Sequence, residues 1–352
     1  MAEEPRPELI IVCGAARSGT TLLHGIVGGH PKIHGAATEW FGWGYHRPKI
    51  ALAAGVPAPD SPERMRRMLT VGLTKTPMKK TGADLDVALS LVDSYPHDWD
   101  HFMLIAVEAM RRTSGLERVA VKTPSIEMEL LYLDDFFTAN GWNVRWIYSV
   151  RHPFDAYLSF RKISAKWRRE LLHSDVLRWS ARWIDSGAEA LEAVAALGKE
   201  RVHIHRFESL LEDPLGTSRG LCEWMGLEDA SGEMVLAQGR KPNTSFSDRE
   251  APTTAGAVRD LRQRPRVGLS KREEEALRIV CGSRARAFGY DLGPLKAAED
   301  LPLHMSQTLR MAQLSASDYA RFLPRELARR AMRATKAAYS LITGRATTSA
   351  RF

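Results

Sequence analysis

The chain has 352 residues, enough to bury a sizeable core, and its 44% hydrophobic and 26% charged content is that of an ordinary globular enzyme. No apolar run approaches the roughly 20 residues of a bilayer-spanning helix, and Met1-Ala2-Glu3-Glu4-Pro5 lacks the basic-then-apolar form of a signal peptide, so a cytoplasmic protein is expected. The net charge of +8 is concentrated in Asp318 to Arg351, with eight Lys/Arg against two Asp/Glu; the nearly balanced remainder excludes a nucleic-acid-coating surface.

Leu9-Ile10-Ile11-Val12 reads as a buried strand. It runs through Cys13-Gly14-Ala15-Ala16-Arg17-Ser18-Gly19-Thr20-Thr21 into a helix from about Gly19 to Gly28, stopped by Gly28-Gly29-His30-Pro31. Strand, tight glycine loop and helix N-terminus together make a phosphate cradle, because the first amides of the helix have no partner within it. Gly14 and Gly19, with four residues between them, keep the spacing of a Walker A loop. Thr20, however, stands where the nucleotide-binding lysine belongs, and the positive charge lies inside the loop on Arg17. Backbone amides from Arg17 through Ser18, Gly19 and Thr20 to Thr21, with the three hydroxyls, are expected to grip the oxygens of a phosphate-like donor other than ATP.

From Trp40 to about Arg118 the sequence is less regular. Pro48, Pro57, Pro59, Pro62, Pro77 and Pro96 divide it into short pieces around one helix from about Trp99 to Arg112, the form of a substrate-facing cap. Val119-Ala120-Val121-Lys122 is a short strand, and Met128 to Phe137 is helical. A strongly apolar strand, Asn143 to Val150, ends at Arg151-His152-Pro153, where Pro153 suits the first turn of a helix reaching about Arg169. Further on come a helix from about Asp175 to Leu197, a strand from Val202 to Phe207, and helices from about Leu215 to Met225 and Lys271 to Cys281.

Strands alternating with helices imply parallel βαβ units, hence an α/β chain with the three-layer, P-loop-NTPase-like fold and a central parallel sheet. Ligands in such folds sit beyond the carboxyl ends of the strands. The loops after Val12, Val121 and Val150 therefore matter, and each brings a basic residue: Arg17, Lys122 and Arg151. Arg151 and Ser159, at a strand end and early in the next helix, can be a guanidinium fork and hydroxyl for a phosphate, or a solvated arginine and a packed serine. Cys13, Cys222 and Cys281 are isolated and odd in number, which rules out a disulfide framework or zinc knuckle, and His203-x-His205 has no third ligand nearby. No metal site is expected.

The run Gly14-x-x-Arg17-Ser18-Gly19-Thr20-Thr21-Leu22-Leu23 resembles the 5′-phosphosulfate loop of sulfotransferases that use 3′-phosphoadenosine 5′-phosphosulfate (PAPS). Ile147 to Ser159 resembles their 3′-phosphate motif, with the Arg151–Ser159 spacing kept. His30-Pro31, Lys122-Thr123-Pro124 and Phe207-Glu208-x-Leu210-x-x-Asp213-Pro214 are similar to the bacterial and tyrosyl-protein branch, and the resemblance covers about Leu9 to Leu292. It implies PAPS as donor, with Arg17 to Thr21 on the 5′-phosphosulfate, Arg151 and Ser159 on the 3′-phosphate, and Lys122 on the bridging oxygen of the leaving group. Glu39, one residue out of register with the family's catalytic glutamate, is implied as the base, with His34 and His46 as rivals. Arg161 and Lys162, one turn beyond Ser159, are either additional contacts or a solvated basic face. Phe207 departs from the tyrosine common in relatives.

The resemblance implies sulfuryl transfer to a hydroxyl, less readily an amine; carbohydrate, lipid, small-metabolite and peptide hydroxyls all fit as acceptors. A catalytic domain over residues 1–294, with 40–118 facing the acceptor, would precede a basic helical tail over 295–352. In that tail Leu327, Ala331, Ala334, Ala338 and Leu341 share one helical face, suited to peripheral membrane contact, to docking on the catalytic domain, or to a homodimer. Two rival functions stay open: an ATP- or GTP-dependent phosphotransferase, disfavoured by Thr20, and a non-enzymatic nucleotide-binding protein that docks on membranes.

Overall fold

The computed structural model describes residues 6–36, 47–123, 126–167, 174–240 and 268–294. The chain divides into two compact units, Met1–His152 with Ser186–Pro265, and Pro153–Asp185 with Arg266–Phe352. In chain order the elements are β1 (Glu8–Cys13), α1 (Thr20–Val27), β2 (Ile33–Gly35), α2 (Arg47–Ala54), α3 (Pro62–Lys75), α4 (Leu85–Ser90), α5 (Trp99–Ser114) and β3 (Arg118–Lys122). There follow α6 (Leu130–Ala139), β4 (Asn143–Val150), α7 (Pro153–Trp167), α8 (Ser174–Leu197), β5 (Val202–Arg206), α9 (Phe207–Glu212), α10 (Pro214–Trp224), α11 (Ser231–Arg240) and α12 (Lys271–Ala287).

The first unit is built on a five-stranded sheet in the order β2-β3-β1-β4-β5 with every pairing parallel. β1 is buried along its whole length, which is why it reads as an unbroken apolar run rather than an alternating one. It lies at the centre, with β3 on one side and β4 on the other, so the chain leaves β1 where the strand order reverses. The register pairs Val12 with Lys122 and Cys13 with Tyr148, bringing the ends of three strands side by side. Ile10 and Val12 pack with Leu23 and Ile26 of α1, Ile147 of β4 and Leu221 of α10 in one core. The α/β fold with a central parallel sheet flanked by helices is the one the strand–helix alternation predicts.

The stretch between α1 and β3 is more helical than its prolines suggest. Pro62 opens α3 behind Ser61, whose hydroxyl accepts the Arg64 amide, and Pro77 opens a short 3-10 turn behind Thr76. Proline belongs at a first helical position because the amide it lacks would be unpaired there anyway. α5 begins at Asp98, whose carboxylate accepts the amides of Asp100 and His101, and ends on left-handed Gly115. Strand β2 was not expected: it is a three-residue strand beside β3, too short to show a pattern. Helix α11 was likewise not anticipated.

The second unit contains α7, α12 and residues 174–185 of α8, whose remainder belongs to the first unit. α12 starts with a reciprocal capping box between Ser270 and Glu273. Glu273 also accepts two hydrogen bonds from Arg161, at 3.0 and 2.9 Å, and one from the Tyr157 hydroxyl at 3.2 Å, tying α12 to α7. Among the described residues no helix is long and apolar enough to cross a membrane. The tail over 295–352 lies outside the described residues.

A candidate anion-binding active site

At Cys13 the chain leaves the sheet and turns through the loop into α1. Gly14 has φ 142°, and a Cβ there would collide with the carbonyl oxygen of Ser149 on β4. Gly19, the N-cap of α1, has φ 86°, and a Cβ there would enter the ring of Phe207. Both glycines of the motif are thus required by backbone geometry and by close approach. Between them Arg17 sits at φ 75°, the one non-glycine with positive φ among the described residues. Such a backbone costs on the order of 1 kcal/mol or more and gathers at ligand clamps. The Ser18 amide donates to Ala15 O at 3.1 Å, and Ser149 Oγ donates to Ser18 O at 2.7 Å, fixing the turn from below. Ser18 itself is fully buried, and its hydroxyl has no hydrogen-bond partner among the described residues.

Lys122 is the last residue of β3 and is only 2% exposed. Its Nζ donates to Thr21 Oγ1 at 3.1 Å, in the first turn of α1. The lysine missing after Gly19 is therefore replaced from the neighbouring strand, at the same helix end. Arg151, just past β4, donates through Nη1 to Arg17 O at 3.4 Å and lies over the Phe207 ring, 4.6 Å from its centroid. Phe207 is thus packed against Gly19 and beneath Arg151, linking the two loops. Glu208 holds the turn after Arg151, accepting the His152 amide at 2.9 Å.

The structure therefore gathers Arg17, Ser18, Gly19, Thr20, Thr21, Lys122 and Arg151 at the carboxyl ends of β1, β3 and β4. Ser159 lies on α7, in the second unit. Glu39 and His46 fall outside the described residues. The rival base His34 has its Nε2 bonded to Thr81 O at 2.7 Å. Arg161 is engaged by Glu273, while Lys162 is exposed. His203 and His205 stack on β5 with ring centroids 6.3 Å apart. Burial, with His203 beside it, pushes the His205 imidazole down to about 3. Among the described residues no group of three or more His, Cys, Asp or Glu is placed to hold a metal ion.

Two carboxylates escaped the sequence reading. Glu127, fully buried in the turn after β3, accepts the Gly14 amide at 3.1 Å. Glu208 belongs to the Phe207-Glu208-x-Leu210 motif, which does not disclose its contact with the His152 amide. Neither has a local signal, since a lone glutamate before a helix reads as solvated surface. Burial and the nearby Glu127 charge also push the Cys13 thiol well above its ordinary range, leaving it a small protonated side chain at the strand end.

Three cations, the N-terminus of α1 and two glycines fixed by close approach meet at the carboxyl ends of β1, β3 and β4, an arrangement suited to a multiply charged anion. The family model described as "Sulfotransferase family" matches residues 7–231, a segment that includes the whole sheet and all of these residues. The chain belongs to the sulfotransferase family. As a sulfotransferase it is an enzyme that moves a sulfuryl group to an acceptor. Among solved structures, the sulfotransferase domain of the Synechococcus PCC 7002 olefin synthase is 16% identical with a TM-score of 0.53, covering 83% of this chain and 99% of that one. A sulfotransferase from Mycobacterium avium is 16% identical with a TM-score of 0.47, covering 82% and 79%. At such identity the first likeness speaks for the fold alone. No curated protein matches the chain.

Proposed function

We propose that this sulfotransferase takes its sulfuryl group from PAPS and delivers it to a hydroxyl by metal-independent in-line displacement. The observation that carries the reading is the Lys122–Thr21 contact at the N-terminus of α1, with Arg17 and Arg151 beside it. In this reading the amides of Arg17, Gly19, Thr20 and Thr21 hold the 5′-phosphosulfate; the Ser18 amide is already bonded to Ala15 O, and the Ser18 hydroxyl, unpartnered among the described residues, is the donor at that position. Arg151 takes the 3′-phosphate; Ser159 joins it on the strength of the sequence motif.

As the acceptor oxygen bonds to sulfur, the bond from sulfur to the 5′-phosphate oxygen breaks and its electron pair stays on that oxygen. Lys122 and Arg17 stabilise this growing charge. Glu39 takes the acceptor proton, and adenosine 3′,5′-bisphosphate leaves. The ends of β3 and β4 carry Lys122 and Arg151 where a metal-dependent phosphotransferase would present an aspartate, so side chains supply the neutralisation a metal would otherwise give. The catalytic domain is proposed to span residues 1–294, with 40–118 facing a carbohydrate, lipid or small-metabolite acceptor.

Equilibrium binding in EDTA tests the donor. Adenosine 3′,5′-bisphosphate is expected to bind at least about a hundredfold tighter than ATP, a difference of about 2.7 kcal/mol. Equal affinities would overturn the reading in favour of a nucleotide triphosphate.

A further inference from the structure

Glu127 takes no direct part in the transfer chemistry set out above, yet it is a carboxylate with no exposed surface. Burying one costs several kcal/mol unless its lone pairs are satisfied. Here both oxygens are engaged. Oε2 accepts the Gly14 amide at 3.1 Å, and Oε1 accepts the Ser186 hydroxyl from α8. Tyr148 on β4 extends the chain, its hydroxyl 3.0 Å from Ser186 Oγ.

The Gly14 amide is the first beyond the strand pairing, which for β1 and β4 ends at Cys13 with Tyr148. A charged acceptor on that amide makes the strong form of hydrogen bond. Glu127 follows Lys122 closely in the chain. One short segment therefore touches the phosphate loop at both ends: Glu127 at its entrance through Gly14, and Lys122 at its exit through Thr21.

We propose that Glu127 is a positioning residue that holds the 5′-phosphate loop in register with Lys122; this rests on the PAPS reading above. Its carboxylate contacts no substrate and acts through the Gly14 amide. Glutamine can keep the arrangement: its amide oxygen accepts from Gly14, its amide nitrogen donates to Ser186 Oγ, and the Ser186 hydroxyl turns to donate to Tyr148. Alanine keeps none of it.

The test is calorimetric titration of the full chain with adenosine 3′,5′-bisphosphate and with adenosine 3′-monophosphate, which has no 5′ group for the loop to hold. Glu127→Ala is expected to weaken the bisphosphate about tenfold, the loss of one charge-assisted hydrogen bond, and to leave the monophosphate as in the wild type. Glu127→Gln is expected to stay within about threefold for both. Unchanged bisphosphate affinity in Glu127→Ala, or an equal loss of both nucleotides, overturns the proposal. Should Glu127→Ala fail to fold, Glu127→Gln combined with Ser186→Ala decides: a loss confined to the bisphosphate supports it, and no loss overturns it. A wild-type chain that binds neither nucleotide refutes the donor reading itself, and this inference with it.

Discussion

Arg17 holds a left-handed backbone that glycine would adopt without strain, and the loop keeps arginine there. Replacing it separates the two roles of the position. Arg17→Gly relieves on the order of 1 kcal/mol of backbone strain and restores a similar amount of chain entropy to the unfolded state, so stability is expected to stay within about 1 kcal/mol. Turnover is expected to fall about a hundredfold, because the charge proposed to stabilise the leaving group is gone. Thermal melting alongside steady-state rates checks this; a large drop in melting temperature would make Arg17 a structural residue instead. Gly19 is the opposite case: any side chain there enters the Phe207 ring, so its loss breaks the packing that Arg151 also rests on.

At the scale of single elements, β5 carries a pH dependence. Folding buries His205 and lowers its proton affinity from about 6.5 to about 3, with its Nε2 unpartnered among the described residues. The unfolded chain binds that proton more readily, so stability falls as pH drops below 6.5, by about 2 kcal/mol between pH 7 and pH 5. Denaturant unfolding across that range is expected to show this slope, and His205→Leu to flatten it; an unaltered slope would move the effect to other groups. The same strand illustrates what the sequence could reveal. Residues 202–206 read as a strand because Val202 and Ile204 keep its pattern, whereas β2 offers only Ile33-His34-Gly35, and its place beside β3 comes from tertiary pairing. Pro62 and Pro77 read as breaks because proline interrupts a helix interior, but each follows a capping hydroxyl and so opens a helix. Gly14, Arg17, Gly19, Lys122 and Arg151 were legible because backbone geometry and strand-end position restrict residue choice in the chain itself. Glu127 was not, because nothing local marks a glutamate that ends up fully buried against an amide more than a hundred residues away.

For the molecule as a whole, a net charge of +8 and three cations at one sheet end should favour a highly anionic donor over long distances. The affinity for adenosine 3′,5′-bisphosphate is accordingly expected to fall about fivefold between low and physiological salt. A salt-independent affinity, measured by the same titration, would mean that the charges act only at contact. The central placement of β1 bears also on how the enzyme is made. β1 is made before its partners in the sheet, which begin at Arg118 and Asn143, and β5 begins only at Val202. Until those segments emerge, Leu9-Ile10-Ile11-Val12 is an unpaired apolar ribbon, open on both edges to mispairing or chaperone capture. The loop after β1 therefore cannot take its final shape until β3 and β4 have been made, and the proposed donor site stays incomplete until the segment through Arg151 has been translated.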